Sequence, residues 1–267
     1  MKDSTLNSGS NLALKKLGSL KILLVEDNLL NIKLITILFA QYGITIQVAI
    51  NGMEAVEKIK TNNFDLVLMD MEMPVMNGYQ ATVIIRNKLK SNIPIIALTA
   101  NALPGEKKKC LQLGMNGYVS KPIDAIHLFN TIYKLTSKIV STKQTVTNFE
   151  SLTADADKVC NMDYLMGATR GNEKIINNIV AVFFKETRKE LIFLNDAIEK
   201  TNYPVISHIS HKIKSAFSIL GISVLDPVFK EMEQLSSGTS SIGYIELLNR
   251  RVHRVFNQAK AEMELRN

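Results

Sequence analysis

Hydrophobic residues in the first half of the chain form short runs that alternate with longer amphipathic segments. The runs predict strands over Lys21–Val25, Thr45–Ile50, Phe64–Met69, Ile93–Thr99 and Tyr118–Val119. Helical spacing follows each run, over Asn28 to about Gln41, Met53–Lys60, Gly78–Leu89, Leu103–Leu113 and Asp124–Lys138. Strands that are apolar on both faces and alternate with helices are typical of a parallel sheet covered on both sides. We therefore predict an α/β domain with a five-stranded parallel sheet.

From Asn161 onward the strand signals disappear and the apolar positions recur at helical spacing. Helices are predicted over Glu173–Lys185, Lys189–Lys200, Pro204–Leu220, Val224–Leu235 and Gly243–Leu265, with breaks at Thr201-Asn202, Gly221 and Ser236-Ser237-Gly238. Sizeable helices with short connections favour an all-α four-helix bundle with a shorter helix at its entrance. Residues 139–160 are polar without a clear period and are interpreted as a linker, as are residues 1–19. The predicted domains are therefore 20–138 and 161–267.

Composition and charge narrow the function classes. The chain has 267 residues and a net charge of +7, but residues 21–140 carry 13 basic and 9 acidic side chains and residues 161–267 carry 14 and 12. Neither half is basic enough to demand a nucleic-acid partner, and Lys107-Lys108-Lys109 is interpreted as a solvated helix face. No apolar run approaches the roughly 18 residues of a membrane span, so no membrane contact is expected. Cys110 and Cys160 indicate neither a disulfide framework nor a metal site, which favours the cytoplasm.

Five polar residues lie at the carboxyl ends of the predicted strands: Glu26, Asp27, Asp70, Thr99 and Lys121. The carboxyl ends of parallel strands meet at one edge of a sheet, where ligands bind, so these side chains are expected close together. Neighbouring carboxylates raise each other's pKa unless a cation neutralises them, and Mg²⁺ beside a phosphate suits such oxygen ligands. A carboxylate can attack phosphorus to give an acyl phosphate. Each residue alone has an ordinary structural role, such as a helix cap, but the combination predicts phosphoryl transfer.

Residues 20–138 resemble the response-regulator receiver domain of two-component signalling, which has a flavodoxin-like fold. The resemblance is carried by four motifs in order along the chain. They are Leu24-Val25-Glu26-Asp27-Asn28 with Asn31, Asp70-Met71-Glu72-Met73-Pro74 with Gly78, Ile96-Ala97-Leu98-Thr99-Ala100, and Gly117-Tyr118-Val119-Ser120-Lys121-Pro122. Taken together these motifs are specific for the family, although no single one is.

The receiver resemblance implies a phosphorylation site that depends on magnesium. Asp70 would be the phosphoacceptor, and Glu26 and Asp27 would hold Mg²⁺ with Asp70 and the backbone carbonyl of Glu72. The family often has Asp where Glu26 stands, but Glu is a common variant at that position.

The resemblance also implies roles for residues on the last two strands. Thr99 would hydrogen-bond the phosphoryl group, Lys121 would pair with it, and Tyr118 would be the aromatic switch that moves inward with Thr99. The Lys121–Pro122 bond is often cis in the family, which a proline permits. Gly78 is expected in a tight turn after Pro74 that needs an unusual backbone angle.

One histidine of the helical half stands out because of its neighbours. Lys214, Ser215 and Ser218 lie three, four and seven residues after His211 and share its helix face. The small serines leave room for a partner to approach, and Lys214 can neutralise phosphoryl oxygens. His208 lies one turn earlier but has no lysine three residues on.

Residues 160–265 resemble a histidine phosphotransfer (HPt) domain. The resemblance rests on Ser210-His211-Lys212-Ile213-Lys214-Ser215, on Gly221, and on Leu225, Phe229, Met232 and Glu233 of the next helix. Ser210 replaces the usual Ala and Ser215 stands where Gly is frequent, but both are small. The resemblance implies that His211 accepts a phosphoryl group with assistance from Lys214.

The two resemblances together imply two consecutive stations of a phosphorelay. The partners would be an upstream histidine kinase and a downstream response regulator, in the cytoplasm or at the cytoplasmic end of a membrane-anchored kinase. The chain would be the carboxyl-terminal part of a hybrid sensor kinase or a free-standing relay protein. A Gly-rich nucleotide loop is absent from the sequence, so the chain is not expected to be an ATP-dependent kinase itself.

Three alternatives are weaker. A response regulator with a helical DNA-binding output domain would use Val224–Leu235 as its recognition helix, yet this segment carries three acidic residues and Lys230 alone. An aspartate-nucleophile phosphatase would need a second Asp where Glu72 stands. A flavin-binding domain would need a phosphate-cradling loop after the first strand, where Glu26 and Asp27 repel phosphate.

Overall fold

The chain divides into two compact units, Met1–Val140 and Ser141–Asn267. The structure, a computed structural model, describes residues 20–99, 104–136, 159–235 and 242–266. The predicted linker over residues 1–19 lies outside these ranges, and so do residues 139–158 of the predicted linker 139–160. Ala100 and the predicted break at Ser236-Ser237-Gly238 also lie outside the described residues.

The first unit is a parallel sheet whose strands alternate with helices along the chain. Its elements are β1 Ile22–Val25, α1 Leu29–Ala40, β2 Ile46–Ala49, α2 Gly52–Thr61, β3 Leu66–Asp70, α3 Gly78–Asn87, β4 Ile95–Thr99, α4 Pro104–Gln112, β5 Gly117–Ser120 and α5 Ala125–Thr136. The strand order is β2-β1-β3-β4-β5. Every position of β1, β3 and β4 is buried, as in sheets covered on both faces. The predicted five-stranded parallel α/β fold is confirmed.

The register of the strands brings the candidate residues to one edge of the sheet. Val25 at the end of β1 pairs with Met69 in β3, so the chain leaves both strands at the same level. Asp70 pairs with Leu98, and Thr99 pairs with Ser120. The residues that end or follow these strands therefore share the carboxyl edge.

Every element in the described part of the second unit is helical. The elements are α6 Asp163–Thr169, α7 Glu173–Glu199, α8 Tyr203–Ile219, a short 3₁₀ turn at Ser223–Leu225, α9 Asp226–Leu235 and α10 Ile242–Glu264. Helix α7 packs against α8 and α10, and α9 packs against the same two helices. Aromatic rings fill the space between the helices, with ring centroids 5.4 Å apart for Phe183 and Phe217 and 5.7 Å apart for Phe217 and Phe229.

Helix α7 corrects one prediction, because two helices were expected where the structure has a single helix of 27 residues. The predicted helices ended at Lys185 and began again at Lys189, but the segment between them contains neither Gly nor Pro. Thr187 is buried and continues the series from Phe183 to Leu191 at intervals of four residues. Neither α7 nor any other helix of the described residues is long and apolar enough to cross a membrane.

Helix α8 is held at both ends. The side chain of Asn202 caps its amino end by accepting from the Val205 N–H, and Pro204 lies in its first turn. After its carboxyl end, Gly221 has φ +64°, and a Cβ there would lie 2.3 Å from the carbonyl oxygen of Asn161. Any larger residue would push the start of the second unit away from α8.

Candidate functional site

Three carboxylates meet at the carboxyl edge of the sheet. Glu26, Asp27 and Asp70 each place one oxygen so that the three oxygens lie within 4.8 Å of one another. Glu26 is 0% exposed and Asp70 is 2% exposed, whereas Asp27 is half-buried. Buried carboxylates at this separation repel one another, so they need positive charge nearby.

Lys121 supplies one positive charge to this cluster. Its Nζ lies 2.7 Å from Oε2 of Glu26 and 2.8 Å from Oδ2 of Asp70. The three carboxylates and the ammonium, all ionised, leave two negative charges, which matches one divalent cation. The donor set is made of hard oxygens, as Mg²⁺ prefers.

The electrostatics of the buried pair follow from this crowding. Burial, and then the charge of Asp70, raise the pKa of Glu26 to about 8, although Lys121 and Asn31 act against the shift. Burial alone would lower the pKa of Lys121, but Asp70 and Glu26 outweigh it and raise that pKa above its ordinary value. The ammonium therefore stays charged, and the cluster as a whole favours taking up further positive charge.

Helix α1 contributes a contact that sequence reasoning missed. Asn31 donates from Nδ2 to Oε1 of Glu26 at 2.9 Å, and the backbone N–H of Asn28 lies 3.3 Å from the same oxygen. Asn28 also caps α1, accepting from the Leu30 N–H at 2.9 Å. The motif around Glu26 included Asn31, but nothing in the sequence showed which side chain its amide would bind.

The loop from β3 to α3 corrects the expectation for its glycine. Gly78 does not have a positive φ; the residue with φ +68° is Val75. Gly78 is needed for space instead, because a Cβ there would lie 2.3 Å from the carbonyl oxygen of Asp70. The close approach of α3 to the end of β3 holds the backbone of Asp70.

The remaining predicted residues of this edge lie at or near the carboxyl ends of β3, β4 and β5. The backbone N–H of Glu72 donates to Oδ1 of Asp70 at 3.4 Å. Thr99 ends β4 and is buried, and its carbonyl accepts from the Lys121 N–H at 2.7 Å. Tyr118 lies on β5, and Nζ of Lys107 lies 4.9 Å from the centre of its ring. The Lys121–Pro122 peptide bond is cis.

His211 lies in the middle of helix α8. It is 6% exposed, and Ser215 beside it is also buried, so the small serines alone do not leave the ring open. Its Nδ1 lies 3.5 Å from Oε1 of Glu233 on α9. Glu233 was assigned to the next helix from sequence without a role, because its distance from His211 depends on how α8 packs against α9.

The two lysines beside His211 face different partners. Nζ of Lys214 lies 3.9 Å from Oε2 of Glu233, so Lys214 belongs to the same group of charges as His211. Lys212 instead pairs with Glu190 on α7 at 2.9 Å. His208 lies one turn earlier and is half-buried. The structure therefore groups Lys214 and Glu233 with His211.

The first unit matches a known family. Residues 22–133 match the family model described as "Response regulator receiver domain". This part of the chain is therefore a receiver domain of two-component signalling, as its motifs indicated. The match ends at residue 133 and does not reach the second unit.

The relatives of this receiver include hybrid histidine kinases. "Hybrid signal transduction histidine kinase B" of Dictyostelium discoideum is 46% identical over 115 residues, which cover 39% of this chain and 6% of that protein. "Sensor protein GacS" of Pseudomonas syringae pv. syringae is 40% identical over 120 residues, which cover 43% of this chain and 13% of that protein. The chain therefore spans only a small share of the length of these curated relatives. Among solved structures, the receiver domain of the Francisella response regulator 1452 is 33% identical, with a TM-score of 0.42 over 45% of this chain and 100% of that one.

Proposed function

We propose that this chain carries two consecutive stations of a phosphorelay, Asp70 in the receiver and His211 in the helical unit. The observation that carries the proposal is the cluster of three carboxylates within 4.8 Å, with Lys121 bound to Asp70 at 2.8 Å. Such a cluster suits a reaction in which negative charge builds up on a phosphoryl group.

Asp70 is the proposed nucleophile of the first transfer. One of its carboxylate oxygens attacks the phosphorus of a phosphohistidine on an upstream kinase. A P–O bond forms as the P–N bond breaks, and the electron pair returns to the donor imidazole, which takes up a proton. Lys121 is already beside Asp70 and pairs with the phosphoryl oxygens, while Thr99 donates its hydroxyl to them. Tyr118 is proposed to follow Thr99 inward as the switch of the domain.

Mg²⁺ fits the donor set and net charge of this edge. Glu26, Asp27 and Asp70 would hold the ion with their carboxylates, and Glu72 would add its backbone carbonyl. When bound, the ion offsets the charge of the carboxylates and of the incoming phosphoryl oxygens. The Glu72 N–H contacts Asp70, so the backbone of Glu72 lies beside the proposed metal ligands.

His211 is the proposed acceptor of the second transfer, in an HPt domain built as a four-helix bundle of α7 to α10. Nδ1 of the ring lies 3.5 Å from Oε1 of Glu233, and with the proton on Nδ1 the lone pair would lie on Nε2. Nε2 attacks the phosphorus of the aspartyl phosphate, so that a P–N bond forms, the P–O bond breaks and Asp70 regains its carboxylate. Lys214 offsets the charge of the phosphoryl oxygens. The reaction takes place in the same chain or between two copies.

The proposed place of the chain is a cytoplasmic phosphorelay. Its partners would be an upstream histidine kinase and a downstream response regulator. Its relatives include hybrid histidine kinases, which supports such a kinase as the parent. Within that parent, the carboxyl-terminal part is the proposed place of this chain. The proposed domain limits are 20–138 and 161–267.

The proposal is tested by intact-mass spectrometry after incubation with acetyl phosphate, with Mg²⁺ or with EDTA. Wild type is expected to gain a phosphoryl group only with Mg²⁺, and Asp70→Asn is expected to gain none. His211→Gln should keep the phosphate on Asp70 but lose the acid-labile, base-stable fraction expected of phosphohistidine. His208→Gln is the matched control and should behave as wild type.

Two results would contradict the proposal in different places. Labelling of Asp70→Asn to the level of wild type would remove Asp70 as the entry point. Equal phosphohistidine in His211→Gln and wild type would leave the receiver intact but remove His211 from the relay.

A further inference from the structure

Glu26 is the most deeply buried charged group at the acidic edge, with 0% exposure. A buried carboxylate is stable only when its oxygens are hydrogen-bonded or paired. Both oxygens of Glu26 meet this condition through different side chains. Oε1 accepts from Nδ2 of Asn31 at 2.9 Å, and Oε2 accepts from Nζ of Lys121 at 2.7 Å.

We propose that Asn31 is a positioning residue that holds Glu26 as a metal ligand, an inference that rests on the proposed use of Mg²⁺. Glu has one more rotatable bond than Asp, so its carboxylate needs an additional constraint to remain near Asp27 and Asp70. Asn31 supplies that constraint from the first turn of α1, where it is itself 6% exposed.

The two side-chain donors to Glu26, Asn31 and Lys121, differ in what else they bind. Lys121 is shared with Asp70, and in the proposed reaction it turns toward the phosphoryl group. At that point the Asn31 amide remains as the fixed side-chain donor to Glu26. The helical turn that carries Asn31 is itself fixed, because the Ile32 N–H donates to the carbonyl of Asn28 at 2.9 Å.

The chemistry of an amide suits this position. A carboxylate offers about four lone-pair sites. Asn31 and the Asn28 N–H face Oε1 and Lys121 faces Oε2, so Glu26 can still accept a further partner. The amide carries no charge, and the cluster keeps the two net negative charges that match a divalent cation. A Lys or Arg in place of Asn31 would hold Glu26 equally well but would repel the ion. Partners behind a ligand typically change metal affinity by about 10–100-fold.

The test is isothermal titration of Mg²⁺ into the full chain at one pH, with melting of the metal-free protein measured in parallel. Asn31→Ala and Asn31→Leu remove the donor in two different ways and should weaken Mg²⁺ binding about 10–100-fold. Asn31→Gln retains an amide and should recover part of the loss. Thr36→Ala is the matched control: it removes a hydrogen bond to the Ile32 carbonyl at an exposed position of the same helix, so Mg²⁺ affinity should stay within about threefold of wild type.

The outcomes separate this inference from the proposed function. If wild type binds Mg²⁺ and both donor-free variants bind it as tightly, Asn31 is only structural and the inference is overturned while the metal site stands. If Thr36→Ala loses as much affinity as Asn31→Ala, the effect belongs to α1 in general and the inference is again overturned. If wild type binds no Mg²⁺, the proposed metal dependence is wrong, and the inference about Asn31 is overturned as well.

Discussion

Val75 has a backbone conformation that β-branched residues rarely adopt. Its φ is +68°, and the Met76 N–H bonds the carbonyl of Pro74 at 2.7 Å, which makes a γ-turn around Val75. The turn is fixed to α2, because the carbonyl of Met76 accepts from the Gly52 N–H at 2.9 Å. The side chain is 75% exposed and gains little from packing. The turn therefore costs stability beside the proposed phosphorylation site without a compensating contact from Val75.

Replacing Val75 with glycine should stabilise the receiver. Gly adopts positive φ without steric cost, and relief of such strain is worth about 1 kcal/mol after the entropy of the unfolded chain is included. Val75→Ala keeps a Cβ at the same φ and serves as the control, with a smaller change expected. Urea unfolding of the two variants measures the difference; equal stability of Val75→Gly and wild type would show that the turn is not strained.

Protonation of Glu26 predicts how magnesium binding depends on pH. Its pKa is raised from 4.5 to about 8, first by burial, so the metal-free folded state retains a proton that the unfolded chain releases earlier. Binding of that proton adds to the free energy of unfolding at low pH. This contribution is lost as the pH rises from the unfolded pKa of 4.5 through the folded pKa of about 8. Mg²⁺ competes with the same proton, so its affinity should rise between pH 6 and pH 8, at most about tenfold per unit.

Calorimetric titration with Mg²⁺ in buffers of different ionisation enthalpy measures this proton release directly. At pH 6.5 we expect binding to release protons, and at pH 9 we expect almost none. Glu26→Gln cannot release a proton and is the control for other groups. Affinity that is the same at pH 6.5 and pH 9 would rule out Glu26 as the titrating ligand.

Arg86 joins three separate parts of the first unit at the element scale. Its guanidinium donates to the carbonyl of Gly114 after α4 at 2.8 Å, and to the carbonyls of Ser91 and Ile93 before β4 at 2.7 and 2.8 Å. It also donates to Oδ1 of Asn116 at 3.0 Å. The sequence analysis assigned Arg86 no role, because its partners lie up to 30 residues away along the chain.

Removing the Arg86 side chain should destabilise the receiver by about 2–4 kcal/mol, because several partly buried carbonyls would lose their donor. Arg86→Lys should recover little of this, since one ammonium cannot reach the positions of a planar guanidinium. Lys88→Ala, an exposed neighbour on the same segment, is the control and should stay within about 0.5 kcal/mol. The measurement is chemical unfolding of the first unit; wild-type stability in Arg86→Ala would contradict the role of Arg86 as a structural link.

At the scale of the whole molecule, the two units have separate cores, one around a sheet and one among helices. We expect calorimetry of the full chain to resolve two unfolding transitions. Mg²⁺ at about 100 times its dissociation constant should stabilise the receiver transition by about 2.7 kcal/mol and leave the other transition in place.

Asp27→Asn provides the control for this experiment, because it removes a carboxylate from the proposed metal site without altering the helical unit. In that variant neither transition should respond to Mg²⁺ as strongly as the receiver transition of wild type does. If Mg²⁺ moved both transitions together in wild type, the chain would unfold as one cooperative body.

The amino-acid sequence by itself determined the sheet, the order of its elements and the edge at which the candidate residues meet. It could do so because periodicity shows which face of an element is buried, and parallel strands place their carboxyl ends together. It also singled out His211 over His208 from residues on one helix face.

Only the tertiary structure decided that Lys121 binds both Glu26 and Asp70, that Asn31 holds Glu26, and that Glu233 faces His211. These contacts depend on side-chain conformations and on how neighbouring elements pack. A pattern along the chain does not specify either one. For the same reason the sequence predicted two helices, ending at Lys185 and beginning at Lys189, where α7 is continuous.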